Sequence, residues 1–142
     1  MNPADECPFC PPSIDSRVVF ANDSCVAIWT GETPLGSAMV LPKAHRRTVF
    51  DLTPHEFDGT RQLLADLREF LIGEHEPDGF TVGWNVEPVG GQSVMHAHCH
   101  IVPRYHDEPY AGRGLRAWLK DPANRPPRHR AQLSENASSL EL

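Results

Sequence analysis

No stretch of this 142-residue chain approaches the roughly 18 to 20 consecutive apolar residues that a membrane-spanning helix needs. Its first residues, MNPADECPFCPP, hold neither a basic cluster nor an apolar run of the kind that directs export. The expectation is a cytoplasmic protein with no membrane partner. Basic charge is also scarce: 13 Lys and Arg stand against 19 Asp and Glu, a formal net charge of −6. Binding along a phosphate backbone is driven by an excess of cations, so a long nucleic acid is not expected as a partner. The four cysteines are too few, in such a setting, for a disulfide framework.

Enough remains for one folded domain. Hydrophobic residues make up 39% of the chain and charged residues 23%, which suits a globular protein with one moderate core. The charge is uneven, because residues 111–130 hold Arg113, Arg116, Lys120, Arg125, Arg128 and Arg130 against Asp121 alone. That segment is either a solvated basic tail or a patch that draws a small polyanion. The sequence divides into a single domain over 1–120 and a polar, Pro/Arg-rich tail over 121–142, expected to be extended or mobile because it has no hydrophobic period.

Val18–Phe20, Val26–Trp29 and Ala38–Leu41 read as a meander of short strands, separated by turn-prone residues. Thr53-Pro54-His55-Glu56 is a capping box with proline at the first helical position. Phe57, Thr60, Leu64, Leu67 and Leu71, widened by Leu63 and Phe70, then form an apolar stripe that predicts a helix to about Gly73, packed on a sheet. Phe80–Val86 alternates with period two, which turns Asn85 away from Phe80, Val82 and Trp84. After a loop, Glu87–Ser93, a second long strand is expected from Val94 to Val102. Leu115, Trp118 and Leu119 suggest a short helix with one apolar face.

Chemistry concentrates in that second strand. His96, His98 and His100 alternate with Ala97, Cys99 and Ile101, so a strand would place all three imidazoles on one face, about 6.6 Å apart. Two readings follow: three ligands for a catalytic zinc, or a histidine nucleophile flanked by residues that orient it. An imidazole that attacks a phosphate ester needs its second nitrogen held by an acceptor, donors for the phosphate oxygens, and a proton for the leaving group. Gly90 and Gly91 allow backbone to approach a phosphate, Gln92 and Ser93 offer side-chain donors, and Asn85 ends the neighbouring strand. Cys7 and Cys10 form a tight pair whose flanking Pro8, Pro11 and Pro12 favour a metal knuckle over a redox helix.

The run Asn85, then Gly90-Gly91-Gln92-Ser93-Val94-Met95-His96-Ala97-His98-Cys99-His100-Ile101-Val102, resembles the motif of the histidine-triad (HIT) family, and Leu41-Pro42-Lys43-Ala44-His45 is similar to its upstream proline-lysine-x-histidine segment. The likeness covers roughly residues 7–104. It implies an α+β fold, an antiparallel sheet of about five strands with one long helix packed on it, assembled as a homodimer. It further implies a nucleotide hydrolase or nucleotidyltransferase that cleaves phosphoanhydride or phosphoramidate bonds through a nucleotidyl-histidine intermediate. In that reading His98 is the nucleophile and His100 contacts phosphate. Asn85, Gln92 and Ser93 bind the phosphates and leaving oxygen, and Phe9 lines the base pocket.

The same resemblance implies a structural zinc held by Cys7, Cys10, His45 and His96, with no open coordination position. The chain departs from the family where several members carry an aspartate for the ribose hydroxyls; here the residues are Ile28-Trp29-Thr30-Gly31-Glu32, and Trp29 either stacks on a base or packs in the core. The alternatives to the covalent mechanism are a catalytic zinc hydrolase using His96, His98 and His100 as ligands, and a non-catalytic nucleotide-binding adaptor.

Overall fold

The computed structural model describes residues 5–127, and the chain divides into two compact units, Met1–Ala111 and Gly112–Leu142. In the first, five strands form one antiparallel sheet: β1 (Val18–Ala21), β2 (Cys25–Trp29), β3 (Ala38–Pro42), β4 (Gly79–Trp84) and β5 (Cys99–Arg104), in the spatial order β1-β2-β3-β5-β4. A single long helix, α1 (Pro54–His75), joins β3 to β4. The expected α+β architecture, one helix on a five-stranded antiparallel sheet, is the one observed.

The helix starts where the capping box predicts. Thr53 Oγ1 accepts the Glu56 N–H at 3.1 Å and Glu56 Oε1 accepts the Thr53 N–H at 2.8 Å, so two otherwise orphaned donors are satisfied. It runs two residues past Gly73 and stops at Glu76, whose left-handed φ of 49° supplies the cap that a glycine often provides. Its buried stripe is Glu56, Gly59, Thr60, Leu63, Leu67 and Leu71. Phe57 and Phe70, expected in the stripe, sit at its margins, partly exposed, stacked on Trp84 and on Phe20 and Trp29 respectively.

The two faces of the sheet carry separate cores, because strand side chains alternate. Cys25, Ala27, Ala38, Val40, Cys99 and Ile101 pack against the helix leucines. Ile28, Met39 and Leu41 point the other way and are covered by the N-terminal segment through Cys7, Phe9, Cys10 and Ile14. Trp29 belongs to the helix side, so its role is packing against Phe20 and Phe70.

Two local expectations are corrected. The second long strand begins at Cys99, not Val94: residues 94–96 bend, and the Ala97 N–H donates to the Arg46 carbonyl at 2.7 Å instead of joining the ladder. In the second unit the expected short helix is only a 3-10 turn, Leu115–Ala117, and Leu115, Trp118 and Leu119 are exposed. With Gly114 before it and Asp121-Pro122 after it, the segment is too short to repay helix nucleation. Arg128, Arg130 and the rest of the predicted tail from residue 128 onward lie outside the described residues.

Candidate metal centre and histidine site

The first site forms where the N-terminal knuckle meets the end of β3 and the bend before β5. Cys7, Cys10, His45 and His96 bring one ligand atom each to within 4.8 Å of one another. His96 Nδ1 is 3.5 Å from Sγ of both Cys7 and Cys10, and His45 Nδ1 is 3.3 Å from Cys10 Sγ. A tetrahedral ion with bonds of about 2.3 Å to sulfur and about 2.05 Å to nitrogen has a sulfur–nitrogen edge of roughly 3.5 Å, so these spacings fit a four-coordinate metal. The four residues are positioned to bind one.

The protonation states point the same way. His96 Nε2 donates to the Pro42 carbonyl at 2.8 Å, which leaves the Nδ1 lone pair facing the thiols. Burial pushes the His96 imidazole below its ordinary value, and its histidine neighbours add to this, so the neutral, ligating form is favoured. Burial and the adjacent Cys7 thiol push Cys10 up to about 11. A bound cation would offset this and favour the thiolate.

The second site adjoins the first. His98 is buried, and its Nδ1 lies 2.8 Å from the backbone carbonyl of His96. With Nδ1 as donor, the Nε2 lone pair is free for chemistry. Two aromatic rings flank it edge to face: His100 at 5.0 Å and Phe9 at 5.3 Å between centroids. His100, half-buried, pairs with Met39 on one side and Gly83 on the other, so no side chain crowds it from β4. Burial pushes His100 below the usual imidazole value, His98 adds to this, and Glu32 opposes it.

The imidazoles therefore do not form the uniform row the alternation predicts. His96 precedes the strand and its ring drops into the cysteine knuckle, while His98 and His100 lie side by side. The bend at 94–96 is what separates them, and no periodicity argument reports it.

The phosphate-binding candidates lie on the loop before the bend. Asn85 follows β4 directly, and the register that pairs Trp84 with Cys99, continued one residue, sets Asn85 opposite His98. Gly91, at φ 98°, packs so closely that a Cβ there would come within 3.3 Å of the Asn85 side chain. Gln92 is buried: its Nε2 donates to the Arg47 and Val94 carbonyls at 2.7 and 3.1 Å, and its Oε1 accepts the Glu87 N–H at 2.8 Å. The amide thus staples the loop. Ser93 is exposed on a cavity of about 630 Å³ that also borders Cys7, His45, Arg47 and Met95.

A residue that motif reasoning did not assign a second task is Glu56. Besides capping α1, it accepts from Arg46 Nε at 3.0 Å, and the Arg46 carbonyl holds Ala97 between the two histidines. The capping box was legible in the sequence; the Arg46 contact had no local signal.

A five-stranded antiparallel sheet, with a helix on one face and a carbonyl-oriented histidine beside a second histidine on the other, defines a histidine-triad protein. The family model for the HIT domain matches residues 12–107, and the chain belongs to the HIT family. Protein hit of Bacillus subtilis is 29% identical over 109 residues, covering 74% of this chain and 75% of that protein. Bis(5'-adenosyl)-triphosphatase of Saccharomyces cerevisiae is 34% identical over 73 residues, which is 49% of this chain and 34% of the yeast protein.

Among solved structures, a HIT family protein from Bacillus anthracis superposes with a TM-score of 0.70 at 26% identity, over 96% of this chain and 99% of that one. A Zn-bound histidine triad family protein from Mycobacterium smegmatis shares the fold, with a TM-score of 0.67 at 22% identity over 96% of this chain and 99% of that one. No helix among the described residues is long and apolar enough to cross a membrane.

Proposed function

We propose that this protein is a nucleotide hydrolase or nucleotidyltransferase that cleaves phosphoanhydride or phosphoramidate bonds, as in dinucleoside polyphosphates or nucleoside phosphoramidates, through a covalent intermediate on His98. The observation that carries the reading is the 2.8 Å contact of His98 Nδ1 with the His96 carbonyl. With Nδ1 as donor it fixes the tautomer, leaves the Nε2 lone pair unprotonated, and stabilises the imidazolium that forms when nitrogen bonds to phosphorus.

In the first step Nε2 attacks the nucleotide phosphorus and the bond from phosphorus to the leaving oxygen or nitrogen breaks, the leaving atom keeping the electron pair and taking a proton from solvent. The Ser93 hydroxyl offers a hydrogen bond to the leaving atom. Asn85, His100 and the backbone around Gln92 offer contacts to the phosphoryl oxygens. In the second step water or another acceptor attacks phosphorus and gives its proton to solvent, while the phosphorus–nitrogen bond breaks and its electron pair returns to Nε2.

The metal in this reading is zinc, held by Cys7, Cys10, His45 and His96 with no position left open, so it contributes folding free energy rather than Lewis acidity. A catalytic zinc on His96, His98 and His100 is disfavoured because Nδ1 of His96 faces two thiols and Nδ1 of His98 faces a carbonyl. A cytoplasmic homodimer completes the reading. The unpaired edge of β4 and partly exposed Val82 and Phe57 support a second copy as partner.

The test is substitution. His98→Ala abolishes turnover of a dinucleoside polyphosphate and of a nucleoside phosphoramidate while metal content and cooperative unfolding are kept. Wild-type turnover in that variant would rule out the covalent route.

A further inference from the structure

The segment after the knuckle carries a cation that neither the metal cluster nor the histidine site uses. From Cys10 to Arg17 the chain runs in successive turns: the Ile14 N–H donates to the Cys10 carbonyl at 3.3 Å, Asp15 to Pro12 at 3.1 Å, and Arg17 to Ile14 at 2.9 Å. Ile14, 1% exposed, pins these turns into the core that also holds Phe9. The chain is thereby folded back, and the Arg17 guanidinium carbon lies over the Phe9 ring, 5.9 Å from its centre. The Arg17 side chain is exposed, and among the described residues it makes no ion pair or side-chain hydrogen bond. Its N–H donors are therefore unspent.

Phe9 relates this cation to the chemistry. Its ring stands edge to face with that of His98 at 5.3 Å. A nucleotide bonded through phosphorus to His98 directs its leaving group toward Ser93 in the proposed reaction, and its base toward the aromatic wall of the knuckle, where the resemblance to the family puts it. Arg17 packs on that wall, and no hydrogen bond joins it to His98 or His100. Its donors are placed for the rim of a base rather than for the phosphoryl oxygens.

The two common purines differ at that rim. Guanine presents two acceptors side by side, O6 and N7, whereas adenine presents the N6 amino donor beside N7. A guanidinium only donates, and its planar fork spans two adjacent acceptors. It gains two hydrogen bonds from guanine but sets donor against donor on adenine.

We infer that Arg17 is a specificity-determining residue that reads the O6/N7 edge of a 6-oxopurine, so that the site selects guanine and hypoxanthine nucleotides over adenine nucleotides. The inference rests on the reading of this site as a nucleotide site. It does not require the covalent route through His98, because the selection is expressed in binding.

The experiment measures binding of GMP, IMP and AMP to the metal-loaded protein by calorimetry. It also measures kcat/KM for guanosine, inosine and adenosine 5'-phosphoramidates that carry the same amine. IMP keeps O6 and N7 but lacks the 2-amino group of guanine, so it isolates the edge in question. Arg17→Met keeps the length of the side chain without its fork, and Arg17→Lys keeps the charge. Melting curves and metal stoichiometry establish that both variants fold as wild type.

The expected result is that GMP and IMP bind roughly tenfold tighter than AMP, with the same preference in kcat/KM. Arg17→Met erases the preference by weakening GMP and IMP while AMP stays within about twofold, and Arg17→Lys is intermediate. Equal affinities in wild type overturn the inference, as does a preference that survives in Arg17→Met. An equal loss for all three nucleotides also overturns it, because Arg17 would then act on the phosphate. Failure of every monophosphate to bind overturns it together with the reading on which it rests. If His98→Ala keeps its turnover, the covalent route fails instead, and the ratio of GMP to AMP binding still judges Arg17.

Discussion

The backbone carbonyl of His96 accepts the Nδ1–H of His98 at 2.8 Å, while the His96 ring sets its own Nδ1 3.5 Å from the sulfurs of Cys7 and Cys10. One residue therefore serves the metal-ligand cluster with its side chain and orients the neighbouring histidine with its main chain. A displacement of the His96 main chain therefore bears on both the cysteine cluster and the His98 acceptor. Four predictions follow from this region and the elements that brace it.

Replacing one thiol should detach the knuckle. Cys10→Ser is expected to lose the bound metal, measured by metal stoichiometry after gel filtration, and to lose about 3 kcal/mol of stability or more, roughly 10 °C in melting temperature. Full metal content with an unchanged melting curve would contradict the ligand assignment.

Glu56 tests the brace between the helix and the histidines. Its carboxylate is buried, a cost that the Thr53 N–H and Arg46 outweigh, and its pKa lies below the ordinary carboxylate value. Glu56→Gln keeps the shape but weakens both the cap and the Arg46 contact. A loss of about 1–3 kcal/mol is expected in urea unfolding at neutral pH. Because the folded pKa is depressed, the Glu56 contribution is present above the unfolded carboxylate value and disappears as pH falls through the folded value.

His100 should leave a mark on the pH dependence of stability. Burial favours its neutral form in the folded protein, so below the unfolded value of 6.5 the unfolded chain takes up a proton that the folded chain resists. Stability supported by the neutral ring is complete above pH 6.5 and is lost as pH falls toward and through the depressed folded value. Unfolding free energies between pH 7.5 and about pH 5 should therefore fall more steeply in wild type than in His100→Asn. Parallel slopes would refute the assignment.

Gly59 sets propensity against packing. Alanine there would favour the helix by about 0.8–1.0 kcal/mol, but its Cβ would collide with the Ser24 hydroxyl and come within 3.3 Å of Asn22 Oδ1 and Cys25 Sγ. Gly59 also lends its carbonyl to Asn22 Nδ2 at 2.9 Å. Gly59→Ala is expected to lose about 1–3 kcal/mol overall, measured by thermal unfolding; a stabilised variant would show that β2 yields to the helix.

Features set by neighbours in sequence were the most legible. The Thr53–Glu56 capping box and the alternation in Phe80–Trp84 each announce an element whose stabilising contacts lie within a few residues. Cys7 and Cys10 with their flanking prolines likewise mark a knuckle, although the likeness to the HIT family, not spacing, pairs them with His45 and His96. The bend at residues 94–96 was hidden because it depends on Arg46, whose carbonyl captures the Ala97 N–H from a distant segment. Residue type marks Gln92 as a donor, yet its amide is occupied by three backbone groups. Phe57 and Phe70 fit the helical period but lie at its margins, partly exposed beside Trp84 and beside Phe20 and Trp29 respectively.

The separation of 89 residues between Cys7 and His96 has a consequence for biosynthesis. At about 5–20 residues per second of translation, Cys7 is synthesised roughly 4 to 18 s before His96. Until His96 is made, the two thiols have only His45 from the cluster to share an ion with. The four-residue cluster is thus completed late in synthesis, when residue 96 is added.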